Sequence, residues 1–112
     1  MNQDIRILSI LLEKINRIIE ITNNYSREEI TASYILSDAI QYEFEKMYED
    51  STRLSDEFKS KHKELHIDDL RGIRNRVAHN YESVSLTILF DTIEVNFPEL
   101  KVMIESFIEN NK

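Results

Sequence analysis

The chain contains no cysteine and no tryptophan, and only one glycine and one proline. Without cysteine there are no disulfides and no thiolate metal ligands. Scarcity of glycine and proline argues against a turn-rich β fold and for long, uninterrupted helices. No apolar run reaches the roughly 18 residues that a membrane-spanning helix needs. The opening Met1-Asn2-Gln3-Asp4 lacks the basic-then-apolar order of a signal peptide, so a cytoplasmic location and no membrane partner are expected. Positive charge is also in short supply. A formal net charge of −7 argues against a surface that holds nucleic acid by charge alone.

What the chain does have is helical periodicity. Its 112 residues fit one domain, residues 1–112, and 41% hydrophobic content suits a single folded core. From about Asp4 to Asn23, Ile5, Leu8, Leu12, Ile15 and Ile19 recur at spacings of three and four. Ile7, Leu11 and Ile18 widen that stripe enough for two packing neighbours. Ser26, followed three residues later by Glu29, reads as a capping box. A long helical segment follows from Arg27 into the late fifties, with a break near Thr31–Ser33, and carries Leu36, Ile40, Phe44, Met47, Leu54 and Phe58. Lys59 to His66 is polar and reads as a loop. Ile67, Leu70, Ile73 and Val77 begin a shorter helix, and Leu86, Leu89, Phe90 and Ile93 make another. Pro98 restarts a final helix through Leu100, Met103, Ile104, Phe107 and Ile108. The expected fold is all-α, an antiparallel four- to five-helix bundle.

The chemistry-bearing stretch is Arg71-Gly72-Ile73-Arg74-Asn75-Arg76-Val77-Ala78-His79-Asn80-Tyr81. At about 100° per residue, Arg74 and Tyr81 share the arc of Leu70, Ile73 and Val77, whereas Asn75 and His79 fall on the opposite side. An arginine in an apolar stripe must snorkel or meet a carboxylate, for which Glu49 and Asp38 are candidates. If the outward face meets a second copy of the chain, His79 lines a groove between subunits. Such a groove suits RNA transesterification, which needs an acid, a base and a cation for the developing phosphorane charge. Histidine titrates in the useful range, and the arginine fork matches phosphate oxygens. Arg74 and His79 are about 140° apart on an ideal helix, so they converge only through wrapping, bending or a two-chain groove. Lys59, Lys61, Lys63, Arg71 and Arg76 make a local basic patch that could guide RNA.

Each residue also has a plainer role available. Arg74 could be a structural ion pair and His79 a helix C-terminal histidine favoured by the dipole. Tyr81 could be a core-edge aromatic, and the lysines a solvated surface. His62 and His66 are four apart but lack a third ligand at metal-site spacing, so no metal is expected.

The Arg74-x4-His79-x-Tyr81 pattern resembles the Arg-x4-His-x-Tyr motif of HEPN domains, in the branch encoded beside minimal nucleotidyltransferases. Ala39 to Ser55 is similar to that family's long-helix segment, with Glu49 at its glutamate. Tyr48 and Asp50 stand where the family has small residues. Ile67 to Ile73 and Phe97 to Leu100 resemble its lead-in and closing helix. The resemblance implies a homodimeric HEPN bundle that acts as a toxin, cutting RNA without metal or cofactor. Arg74 and His79 would be the catalytic pair, with Asn75 and Glu49 in support. A cognate minimal nucleotidyltransferase antitoxin would transfer AMP from ATP to Tyr81. The alternative is a non-catalytic HEPN module that binds a nucleotide or docks the nucleotidyltransferase.

Overall fold

The computed structural model describes residues 2–65 and 83–111. Its fold is an all-α helical bundle, with no strand among the described residues. The first helix, α1 (Asn2–Asn24), runs along the centre and packs against two others, α3 (Tyr34–Ser51) and α6 (Phe97–Asn110). This double contact explains which of its residues go deepest. Ile7, Leu8, Leu11, Ile15 and Ile18 are buried, while Leu12 and Ile19 are only partly so. The residues expected to widen the stripe are therefore its middle, because the helix is covered from two sides.

The Ser26 capping box closes as expected. Glu29 N–H donates to Ser26 Oγ over 3.1 Å, and Ser26 N–H donates to Glu29 Oε1 over 2.9 Å. It starts a helix of only six residues, α2 (Arg27–Ala32), which buries Ile30. The break falls at Ser33, whose backbone is extended. Its N–H closes α2 on Ile30 O over 3.2 Å, and its Oγ accepts from Leu36 N–H over 3.2 Å to open α3. Arg27 ties α2 to α5 (Ser83–Val95): its guanidinium pairs with Asp91 at 3.5 Å and with Glu94, and lies 5.2 Å from the Phe90 ring centroid.

The expected long segment from Arg27 to the late fifties is in fact three helices. After Ser51 the chain turns through residues 52–55, with Leu54 buried, and restarts as α4 (Asp56–Lys61). A short 3-10 turn, η1 (Lys63–Leu65), follows. Lys59 to His66 is thus not a loop as far as Leu65; His66 itself lies outside the described residues. The reason is local. Ser55 caps the new helix by accepting from Phe58 N–H over 3.0 Å. Asp56 and Glu57 occupy its first turn, and Lys59 and Lys61 its last, complementing the helix dipole at both ends.

In α5, Leu86, Leu89, Phe90 and Ile93 are all buried, as their spacing predicts. Asn96 separates α5 from α6 but keeps helical dihedrals and donates to Thr92 O over 2.8 Å. The two helices are almost continuous, and Pro98 sits where a missing N–H costs nothing. Phe97 is fully buried and stacks on Phe44 of α3, with ring centroids 5.4 Å apart.

Candidate functional site

The helix expected to begin at Ile67 and the motif it carries, with Arg71, Arg74, Asn75, Arg76, His79 and Tyr81, lie outside the described residues. The elements on either side of that stretch are both tied to the core. On the leading side η1 packs against α6, and Leu65 joins the core. On the trailing side α5 anchors through Leu86, also in the core.

The aromatic set next to η1 explains how that end is held. The His62 ring lies 4.6 Å from Phe58, and Phe107 of α6 meets both edge-on, at 5.0 Å from Phe58 and 4.9 Å from His62. Such offset and edge-to-face arrangements are the favoured ones for rings of this kind. His62 Nδ1 is 3.2 Å from Glu64 Oε1. His62 is therefore a packing residue joining α4 to α6. Among the described residues no three His, Asp or Glu side chains gather in a way that could hold a metal ion. A cleft of about 420 Å³ opens beside these rings, with Lys61, Asn110 and Asn111 at its polar edge.

Of the basic patch, three members are described. Lys61 and Lys63 are exposed and Lys59 is half-exposed, all on the α4–η1 stretch that leads into the motif. Lys61 is engaged by Glu57 one turn earlier, at 2.7 Å, and this pairing holds the Glu57 carboxyl below its ordinary range. Part of the positive charge is thus balanced locally.

Glu49 and Asp38 both lie on the exposed side of α3. Glu49 accepts from Lys46 Nζ at 3.3 Å, and that contact raises the Lys46 ammonium above its usual value. The inward carboxylates of α3 are others, Glu43 and Asp50. Asp50 pairs with Lys14 of α1 at 3.3 Å and with Arg53 at 2.7 Å, and Glu43 with Arg17 at 3.7 Å. Glu43 Oε2 is buried and has no hydrogen-bond partner among the described residues. Asp50 replaces a residue the resemblance expected to be small; Lys14 and Arg53 flank it, and its Oδ2, like Glu43 Oε2, is buried with no hydrogen-bond partner among the described residues.

The periodicity did not reveal one buried polar contact. Asp4, only 2% exposed, accepts from Ser55 twice, from its N–H at 2.8 Å and its hydroxyl at 2.7 Å. The signal for the Ser55 end was present in Ser55-Asp56-Glu57, a capping serine before an acidic first turn. Nothing local pointed to Asp4 as its partner.

The family model described as "Ribonuclease HepT-like" matches residues 11–107, a span that includes the motif. A protein of Caldanaerobacter subterraneus subsp. tengcongensis, provisionally named an RNase, is 26% identical over 102 residues, covering 91% of each chain. A second provisional RNase, from Methanocaldococcus jannaschii, is 24% identical over 100 residues, covering 89% of this chain and 83% of its own. No solved structure gives a significant match.

Proposed function

Because the chain belongs to the Ribonuclease HepT-like family, we propose that it is a HEPN-type toxin that cleaves RNA without a metal ion, at a composite site built from Arg74 and His79 of two copies. The single observation that carries this reading is the Arg74-x4-His79-x-Tyr81 spacing, which falls inside the family match at residues 11–107. The RNase names of the two relatives support it.

In the reaction, one imidazole takes the 2′-hydroxyl proton as that oxygen attacks the adjacent phosphorus. A second, from the other copy, protonates the departing 5′-oxygen. The Arg74 guanidinium binds the non-bridging oxygens as their charge grows. Asn75 and Glu49 support the site through hydrogen bonds, and Arg71, Arg76 and the three lysines draw RNA toward it. The products are a cyclic 2′,3′-phosphate and a free 5′-hydroxyl.

Inactivation follows from Tyr81. In a cognate minimal nucleotidyltransferase, the Tyr81 hydroxyl attacks the α-phosphorus of ATP, loses its proton and gains an AMP group, and pyrophosphate leaves. The anionic adduct near Arg74 and His79 repels and blocks the RNA phosphate. A second reading is favoured by the net charge of −7: a HEPN module that docks the nucleotidyltransferase or a nucleotide and cuts nothing.

The test is RNA cleavage by purified protein in chelator, comparing wild type with Arg74→Ala and His79→Ala. Cleavage by the wild type alone supports the ribonuclease reading. Intact RNA with wild type, or equal cleavage by all three proteins, overturns it.

A further inference from the structure

The cleft of about 420 Å³ beside α4 has the size of a small-ligand site. Three kinds of side chain line it: the rings of Phe58, His62 and Phe107, the ion pair of Lys61 with Glu57, and the amides of Asn110 and Asn111. On α4, Phe58 and His62 form one i,i+4 row, and Glu57 and Lys61 form the row beside it. Rings and charges are therefore neighbours on one helix surface.

The rings make a platform. Phe58 lies 4.6 Å from the imidazole with 31° between the planes, and Phe107 meets His62 edge-on. Phe58 is buried, but the His62 side chain keeps 28% of its surface exposed. An open ring already backed by another can take a further flat ring, and stacking of this kind is how proteins hold unpaired bases.

The ion pair says which base fits. Glu57 Oε1 accepts from Lys61 Nζ at 2.7 Å, and a carboxylate has room for further donors. Of the four RNA bases, only guanine sets two donor nitrogens, N1 and N2, side by side on its Watson–Crick edge, with the acceptor O6 next to them. That row complements a carboxylate beside an ammonium. Adenine, cytosine and uracil each offer one donor nitrogen there, so none satisfies the carboxylate twice. The pair is neutral as a whole and does not repel an RNA chain. The one lining lysine is already held by Glu57, which suits a base better than the terminal phosphate of a free nucleotide. Lys59 and Lys63 stand outside the lining, where a backbone passing the cleft meets them.

We infer that this cleft is a base-recognition subsite for the RNA substrate, in which an unstacked guanine lies on His62 and its Watson–Crick edge meets Glu57 and Lys61. The inference rests on the ribonuclease reading for its substrate, and α4 and η1 lead in sequence into the Arg74–His79 motif.

The experiment is fluorescence anisotropy on the full chain with labelled 2′-O-methyl hexamers, which lack the attacking hydroxyl and stay intact. Five positions are cytidine and one internal position is varied through the four bases. The guanine hexamer binds wild type about tenfold or more tighter than the others, in the range of one bidentate base contact. Glu57→Gln brings guanine level with the other bases. His62→Ala weakens the guanine hexamer by about tenfold or more, and His62→Phe, which keeps a flat ring, restores it. Circular dichroism confirms that each variant is folded. Equal binding of all four hexamers overturns the inference, as does a guanine preference that survives Glu57→Gln or is indifferent to His62→Ala. Guanosine monophosphate that competes as tightly as the guanine hexamer binds overturns the RNA assignment and makes the cleft a nucleotide pocket. Guanine-selective binding by a protein that leaves unmodified RNA intact refutes the ribonuclease reading alone. RNA cleavage by a protein that binds all four hexamers alike refutes the subsite alone.

Discussion

Asp4 and Ser55, 51 positions apart, form a paired hydrogen bond in which one carboxylate receives both the backbone N–H and the hydroxyl of the same serine. The serine passes the order on, since its Oγ also accepts from Phe58 N–H. The first turn of α1 thereby fixes the first turn of α4. Burial pushes the Asp4 carboxyl up, but the two bonds from Ser55 outweigh it and hold it below its ordinary 3.8. A carboxyl lowered by folding stabilises the native state above its unfolded pKa. That contribution fades as pH falls through the lower, folded pKa. Asp4→Ala should cost about 1–3 kcal/mol in denaturant unfolding near neutral pH, the usual cost of stranding buried hydrogen-bond groups. The difference from wild type should shrink below about pH 4 as the native carboxyl protonates. A cost that does not change from pH 7 to pH 3 would show that the ionised carboxylate is not what matters.

Arg74→Lys separates charge from shape at the proposed site. Lysine keeps the positive charge but not the planar fork that grips two phosphate oxygens together. Cleavage should fall by about 10²-fold or more, in the range of losing one oxyanion donor, with RNA affinity changed far less. Single-turnover rates beside binding isotherms measure both. Full activity in the lysine variant would reduce Arg74 to a point charge.

Reversing Lys59, Lys61 and Lys63 to glutamate should weaken RNA binding and flatten its salt dependence. Each lost phosphate contact removes about 0.7 from the slope of log affinity against log salt for a single strand. The expected total change is smaller than three full contacts, because Glu57 already engages Lys61. An unchanged slope in a salt titration would take the α4–η1 lysines out of the RNA path.

Incubation with the cognate nucleotidyltransferase and ATP should add an AMP group, read by intact mass, and Tyr81→Phe should abolish the addition. The modified wild type should lose RNA cleavage in step with the adduct. An adduct on the Phe variant would place the modification elsewhere.

The parts of this fold legible in the sequence are those set by nearest neighbours along the chain. The three-and-four spacing of Leu86, Leu89, Phe90 and Ile93 marked a buried face, and all four are buried. The Ser26–Glu29 box and the Pro98 restart were equally local, and both stand. Boundaries are hidden where a weak local signal competes with a strong periodic one. Leu54 and Phe58 keep the helical rhythm of α3 and so mask the turn at residues 52–55, which Ser55 alone announces. Polarity made Lys59–Lys61 look like a loop, while its charges were in fact arranged along a helix. Of the site residues, Glu49 was placed on α3 and is on its exposed side. The inward carboxylates Glu43 and Asp50 were not anticipated, because their partners come from α1 and depend on how the helices cross.

Ser33 has a consequence for how this chain can change length. It alone separates α2 from α3, serving the end of one and the start of the other. The rotational setting of the longer helix therefore hangs on one pair of backbone angles, with no slack to absorb an error. A residue inserted into either helix beside this joint would turn the rest of α3 by about 100° relative to α2, moving Phe44 toward water and Tyr42 inward. Insertions and deletions tolerated by this architecture should avoid that elbow and collect instead in the longer turn at residues 52–55.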